Sequence, residues 1–229
     1  MLLAIDTSTR YAGVALADQS RVLSCHCWHS TVNHTVELMP AVSQTLKSRR
    51  LRVHDLEGIA VALGPGGFSS LRVGVSAAKG LARAAGKPLV GIGTLELEAF
   101  PYLETGLPVC AWLDAGRGEV YAGWFGEGLQ SPKADSVAPP EQHLENITQP
   151  TLFCGEGVTP WINMIKERLG KNGLAVAWAT PAVRLAALVT LGRRKLEDGE
   201  ASDLAALQPY YLRMPSIGAA KRRDQVIQQ

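Results

Sequence analysis

Ile5-Asp6-Thr7-Ser8-Thr9-Arg10-Tyr11-Ala12-Gly13 and, about 110 residues later, Leu113-Asp114-Ala115-Gly116-Arg117-Gly118-Glu119-Val120-Tyr121-Ala122-Gly123 follow one plan. Each takes an apolar strand into an aspartate, turns through small residues and an arginine, and resumes as a strand at Tyr-Ala-Gly. Around the first copy, Leu2 to Thr7, Tyr11 to Ala17 and Arg21 to Cys27 read as three strands. Their connections are too short for anything but antiparallel neighbours. Leu38, Val42 and Leu46 then fall four apart on a helix with Asn33 as N-cap, and Pro40 must kink that helix or mark its true start. A strand from Gly58 to Leu63 runs through Gly64-Pro65-Gly66-Gly67 into a helix from about Ser69 to Ala85. Leu89 to Ile92 (strand) and Thr94 to Tyr102 (helix) follow. In the second half, Leu152-Phe153-Cys154-Gly155-Glu156-Gly157 and the helical stretch Trp161 to Leu169 echo the first glycine turn and its helix. Two landmarks matched in order imply two copies of one β-β-β-α-β-α unit, an α/β fold of mixed sheets covered by helices. The boundary falls near Gly106-Leu107-Pro108, giving lobes 1–105 and 106–229, with the last helix free to pack back on the first lobe. Gln130 to Pro140 reads as a loop and Lys221-Arg222-Arg223-Asp224 as a loose tail.

The 229 residues, 46% hydrophobic and 19% charged, have globular composition, which excludes a disordered chain. No run of about 18 apolar residues is present, so no membrane span is expected. Met1 to Asp6 lacks a basic flank and is not expected to be a signal peptide. With 23 basic and 21 acidic residues the net charge of +2 favours no partner class. Arg49-Arg50-x-Arg52, Arg193-Arg194-Lys195 and Lys221-Arg222-Arg223 are short basic patches without interleaved aromatics, as solvated surface would be. The four cysteines are expected to be reduced thiols of a cytoplasmic protein. Cys25-His26-Cys27 does not converge on a metal, because on a strand the thiols face one side and His26 the other.

The glycine loop before the second helix could present N–H groups to an anion, but it completes neither the P-loop nor the dinucleotide fingerprint. A tight turn that packs helix on sheet is the better reading. Glu96 and Glu98 lie two apart on a helix, point to different faces, and read as solvated carboxylates of a first turn. No Gly-x-Ser-x-Gly elbow supports hydrolysis.

Gly64-Pro65-Gly66-Gly67-Phe68-Ser69-Ser70-Leu71-Arg72-Val73-Gly74, followed by Lys79-Gly80-Leu81-Ala82, resembles the hallmark of the TsaB (YeaZ) family. So do Asp6-Thr7-Ser8, His34 to Pro40, Asp114 to Tyr121 and Pro209 to Arg213, in the family's order along nearly the whole chain. Gly116 stands where the family usually has Arg, so a cation of that turn is missing. The resemblance implies a two-lobed fold of the actin, sugar-kinase and Hsp70 ATPase (ASKHA) type. It implies a noncatalytic, cytoplasmic scaffold or activator for threonylcarbamoylation of adenosine in tRNA, binding a TsaD-type transferase. A TsaE-type ATPase would join the larger complex, tRNA would be met through the complex, and the chain alone would homodimerise.

The same resemblance implies no required cofactor and at most weak ATP or ADP with Mg, at a vestigial site of Asp6, Thr7, Ser8, Asp114, Gly155 and Gly157. The His-x-x-x-His metal pair of TsaD is missing, since that place reads Val90 to Glu98 and no histidine occurs between His54 and His143. Partner docking is expected through the two N-terminal-lobe helices, at His34, Leu38, Val42, Leu71, Gly74, Val75, Ala77, Ala78, Leu81 and Ala84. The helix from Ser69 has small residues on two faces and one polar stripe, Arg72, Lys79 and Arg83, a pattern that fits a wholly internal helix as well as a partner face, and it is the resemblance that favours the partner. An ATP-dependent kinase or ATPase using Asp6, Asp114 and Gly155-Glu156-Gly157 is the rival reading. A metallopeptidase is a weaker third, for want of the metal pair.

Overall fold

β1 (Leu2–Asp6), β2 (Tyr11–Ala17) and β3 (Val22–His29) form an antiparallel meander in which Leu2 faces Ala17 and Asp6 faces Gly13. β4 (Gly58–Gly64) and β5 (Leu89–Gly93) add in parallel on the other side of β1, giving the order β3-β2-β1-β4-β5. The second half contributes β6 (Val109–Gly116), β7 (Glu119–Phe125), β8 (Ser136–Ala138), β9 (Thr151–Cys154) and β10 (Gly173–Ala175), in the order β8-β7-β6-β9-β10. The two orders correspond strand for strand, so the repeat at Asp6 and Asp114 is a repeat of topology. The computed structural model describes residues 1–31, 33–126, 133–177 and 180–213. The basic tail at Lys221 to Asp224, and Gln130 to Pro132 of the expected loop, lie outside the described residues.

α1 (His34–Ser48) begins where Asn33 accepts a hydrogen bond from the Thr35 N–H at 3.0 Å. Pro40 lies inside this helix and does not mark its start, correcting one of the two sequence alternatives. Pro40 and Val36 both face solvent, where water can take the Val36 carbonyl that proline leaves without a donor. α2 (Phe68–Ala85) closes with Gly86 in the left-handed conformation. α3 (Thr94–Ala99) is shorter than expected and continues to Thr105 only as a tighter 3-10 turn. Pro101 lacks the N–H that would bond back to Leu97, which ends regular α-helix there. α4 (Pro140–His143), α5 (Ile162–Leu169) and α6 (Pro181–Glu197) complete the set.

Side chains alternate across the first sheet as strand geometry requires. Leu3, Ile5 and Val14 pack with Leu38, Val42, Val75 and Ala78 of α1 and α2. Leu2, Ala4 and Ala15 pack on the opposite face with Leu185, Leu188 and Leu191 of α6. A Cβ on Gly192 would lie 2.6 Å from that of Ala60, so only glycine lets α6 come this close to the sheet. α3 makes the reciprocal crossing, burying Leu95 and Ala99 against Val109, Ala111 and Leu113 of the second sheet. Each lobe is thus covered by a helix from the other half of the chain. Residues 199–213 then run back as a strap: Ser202 N–H donates to the Leu89 carbonyl (2.8 Å) and Tyr210 N–H to that of Leu63 (2.7 Å). Lys79 and Arg72, read as a polar stripe, hold this strap through the Leu207 carbonyl and the Tyr211 hydroxyl. Arg213 carries it to the second lobe by pairing with Glu119.

Candidate functional site

The cleft between the lobes has a volume of about 950 Å³. Its walls are the turn after β1, the first residues of α1 and α2, the turn between β6 and β7, and Glu156-Gly157 after β9. Beneath it lies a side chain the sequence reading missed. Arg184 of α6 is 2% exposed, and each of its five N–H groups has an acceptor. Nε donates to Asp6, Nη1 to Glu98 (2.8 Å) and Glu156, and Nη2 to Thr9 Oγ1 (3.1 Å) and the Tyr11 carbonyl (2.8 Å). Burial disfavours the cation, but Asp6, Glu98 and Glu156 outweigh it and hold the guanidinium well above its ordinary value. The ligands come from β1, from α3 and from the turn after β9, so one cation joins both lobes.

Glu98 corrects the reading of a solvated carboxylate: it is 7% exposed and turned towards Arg184 by the crossing of α3 between the lobes. Its pKa is pushed up to about 6, first by burial and then by the Glu156 and Asp6 charges, against the pull of Arg184. The folded value exceeds the ordinary 4.5. Between the two values the folded chain keeps a proton that the unfolded chain has released. Stability from this group is therefore full below about 4.5 and is lost as pH rises through about 6. Glu98→Gln keeps an oxygen for Nη1 and removes the titration. Urea melts at pH 4 and pH 7 should show the variant gaining on the parent by on the order of 1–2 kcal/mol across that window. An unchanged gap would assign the titration to another group.

The expected nucleotide residues divide between floor and walls. Ser8, Asp114 and Gly157 line the cleft, whereas Asp6 and Thr7 are buried beneath it. Asp6 accepts from the N–H and hydroxyl of Ser8 through Oδ1 and from Arg184 through Oδ2. Thr7 donates to the Ser70 carbonyl at 2.7 Å. Asp114 is exposed and accepts from the Gly116 N–H. Gly155 and Gly157 wrap the Trp112 carbonyl, which accepts from the Gly157 N–H at 2.9 Å. The first glycine loop is a close-contact turn: Gly67 N–H donates to the Ser8 carbonyl, and a Cβ on Gly66 would lie 2.1 Å from that oxygen. Both Asp6 oxygens are engaged and a fixed cation stands beside them, which does not fit a divalent metal held at Asp6. Arg10, His34 and Arg117 line the upper walls, with His34 Nε2 donating to the Thr9 carbonyl at 3.0 Å. Among the described residues no three His, Cys, Asp or Glu side chains gather as a metal would require.

A second candidate surface lies on the outer side of α1 and α2. Val42, Leu71, Gly74, Val75 and Ala78 are buried in the protein's own core and cannot face a partner, and Leu38, equally buried, reaches the surface only as part of the lining of a depression between the helices. They form the stripe that α1 and α2 turn towards the sheet. His34, Ala77, Leu81 and Ala84 retain access. The accessible face is centred on Val36 (61% exposed) and Met39 (45%), beside an apolar depression of about 400 Å³ that Val73 and Ala77 also line.

The chain matches the family described as TsaD, tRNA N6-adenosine threonylcarbamoyltransferase, over residues 29–210. It is 32% identical over 226 residues to the tRNA threonylcarbamoyladenosine biosynthesis protein TsaB of Bacillus subtilis, covering 95% of this chain and 96% of that one. With the protein of the same description from Escherichia coli it shares 30% identity over 180 residues, 72% of this chain and 75% of that one. The solved structure of YeaZ from Pseudomonas aeruginosa matches with a TM-score of 0.73 at 27% identity, covering 92% of this chain and 99% of that chain. The two mixed sheets with their crossing helices are the actin-like, ASKHA-type fold. Among the described residues no helix is long and apolar enough to cross a membrane.

Proposed function

Since the chain belongs to the TsaB family of tRNA threonylcarbamoyladenosine biosynthesis proteins, we propose that it acts there as a noncatalytic scaffold that activates a TsaD-type transferase. The observation that carries this reading is the division of labour between its two surfaces. The cleft has its buried carboxylates committed to Arg184, while the outer face of α1 and α2 leaves Val36 and Met39 in water beside an apolar depression. Exposed apolar side chains at such a depression favour a protein partner. On this reading the transferase docks on α1 and α2, a second copy takes the same face when the transferase is missing, and a TsaE-type ATPase and tRNA join through the complex in the cytoplasm. No cofactor is required, and Mg-ATP or ADP binds the isolated chain weakly at most, because both Asp6 oxygens already accept hydrogen bonds and the Arg184 cation beside them repels a metal.

Turnover tests the proposal. With threonylcarbamoyl-adenylate, ATP and substrate tRNA, the purified chain should neither modify tRNA nor hydrolyse ATP, and adding it to a TsaD-type transferase should raise tRNA modification well above that of the transferase alone. Modification by this chain alone would overturn the scaffold role. Tight Mg-ATP binding abolished by Asp6→Ala would favour the kinase or ATPase reading.

A further inference from the structure

Cys25 and Cys27 leave the same face of β3, the edge strand of the first sheet, with their Sγ atoms 3.8 Å apart. His26 leaves the opposite face and stacks on Trp28. The two thiols differ in access. Cys25 is exposed, whereas Cys27 is half-buried against the cluster that α6 forms with the sheet. Among the described residues β3 has a neighbour on one side only, and its register with β2 shifts between the Ser24 and Val22 pairings, one residue before Cys25, while Cys25, His26 and Cys27 pair regularly with Ala15, Val14 and Gly13. Closing the sulfurs from 3.8 Å to about 2 Å draws together two residues that an extended strand holds near the upper Cα separation of a disulfide, so β3 must buckle at His26, and its open edge is the side on which it can do so. We propose that Cys25 and Cys27 form a dithiol modification site that exchanges with small-molecule disulfides of the glutathione type and closes to a disulfide within β3.

In the first step the Cys25 thiolate attacks one sulfur of R–S–S–R, forming a mixed disulfide and expelling R–S⁻. Cys27 then attacks Cys25 Sγ and expels the second R–S⁻. The two thiol protons go to the leaving thiolates, so two electrons pass from the pair to the reagent and two R–SH are released. The Cys27 hydrogen bond lowers Cys25 to about 7, which supplies thiolate near neutral pH. Burial pushes Cys110 and Cys154 the other way, leaving them as internal comparators.

The test uses the full chain and oxidised glutathione at pH 7.5, followed by acid quench, intact mass and peptide mapping. The parent should lose two hydrogens, carry a Cys25–Cys27 link, and regain its mass with dithiothreitol. Cys27→Ser should stop with one glutathionyl group on Cys25. Cys25→Ser should react roughly tenfold more slowly than the parent. Melting temperatures near the parent's keep both variants interpretable. A glutathionyl adduct that persists on the parent, a disulfide-linked dimer, or reaction no faster than at Cys110 and Cys154 would each overturn the site.

Discussion

Arg184→Met should lower the stability of the protein at pH 7.5 by about 3–5 kcal/mol, because it strands carboxylates that are buried around one cation. For a chain of this size the melting temperature falls by on the order of 10 °C. Methionine fills most of the space, so the loss is one of charge compensation and five hydrogen bonds rather than of a cavity. Asp6 keeps Ser8, but Glu98 and Glu156 lose the cation between them and repel each other. Two further measurements isolate that cause. Acidification should narrow the gap to the parent as the stranded carboxyls take up protons. Arg184→Met combined with Glu98→Gln should recover part of the loss, since one of the buried charges is gone. A single variant melting within about 1 kcal/mol of the parent would mean that the cluster contributes no more than a surface ion pair does.

Ala77→Glu is expected to have the larger effect on association. Ala77 is half-buried in the depression beside Met39, so a carboxylate there is tolerated by the free chain and meets an apolar partner on docking. A buried unpaired charge costs several kcal/mol, and a cost above about 4 kcal/mol weakens binding roughly a thousandfold. Light scattering should show loss of both self-association and binding to a TsaD-type transferase, with the melting temperature kept. Ala78→Glu, one position along and fully buried on the sheet side of α2, is the contrasting variant and should fail to fold. If Ala77→Glu binds like the parent, the docking face lies elsewhere; if it unfolds, Ala77 is core.

The duplicated frame was legible because strand, aspartate, turn and strand are local in sequence and occur twice. The direction in which α2 faces was not. Its small and apolar residues surround most of the helix, and periodicity defines a stripe without saying what covers it. Gly74 and Ala77 therefore read as one surface, although the first is buried beside Thr7 and the second borders the depression. The Arg184 cluster was hidden for another reason: Asp6 and Arg184 are 178 residues apart, and no local pattern couples them. One signal was available. Arg184 stands at i where Leu188 and Leu191 occupy i+4 and i+7, and a lone cation in an apolar stripe needs buried acids. Glu98 resisted for the same reason, because its solvation depends on a helix contributed by the other half of the chain.

That exchange of helices also sets an order of events during synthesis. The first sheet is complete in sequence at Gly93, yet the helix that covers one of its faces starts only at Pro181. At a translation rate of about 5–20 residues per second, a nascent chain displays Leu2, Ala4, Ala60 and Val90 without α6 over them for roughly 4–18 seconds, with only Leu97 of α3 beside that face. The N-terminal half therefore lacks most of the cover for one face of its sheet until α6 emerges, and a message truncated before α6 yields a sheet with that apolar face largely exposed.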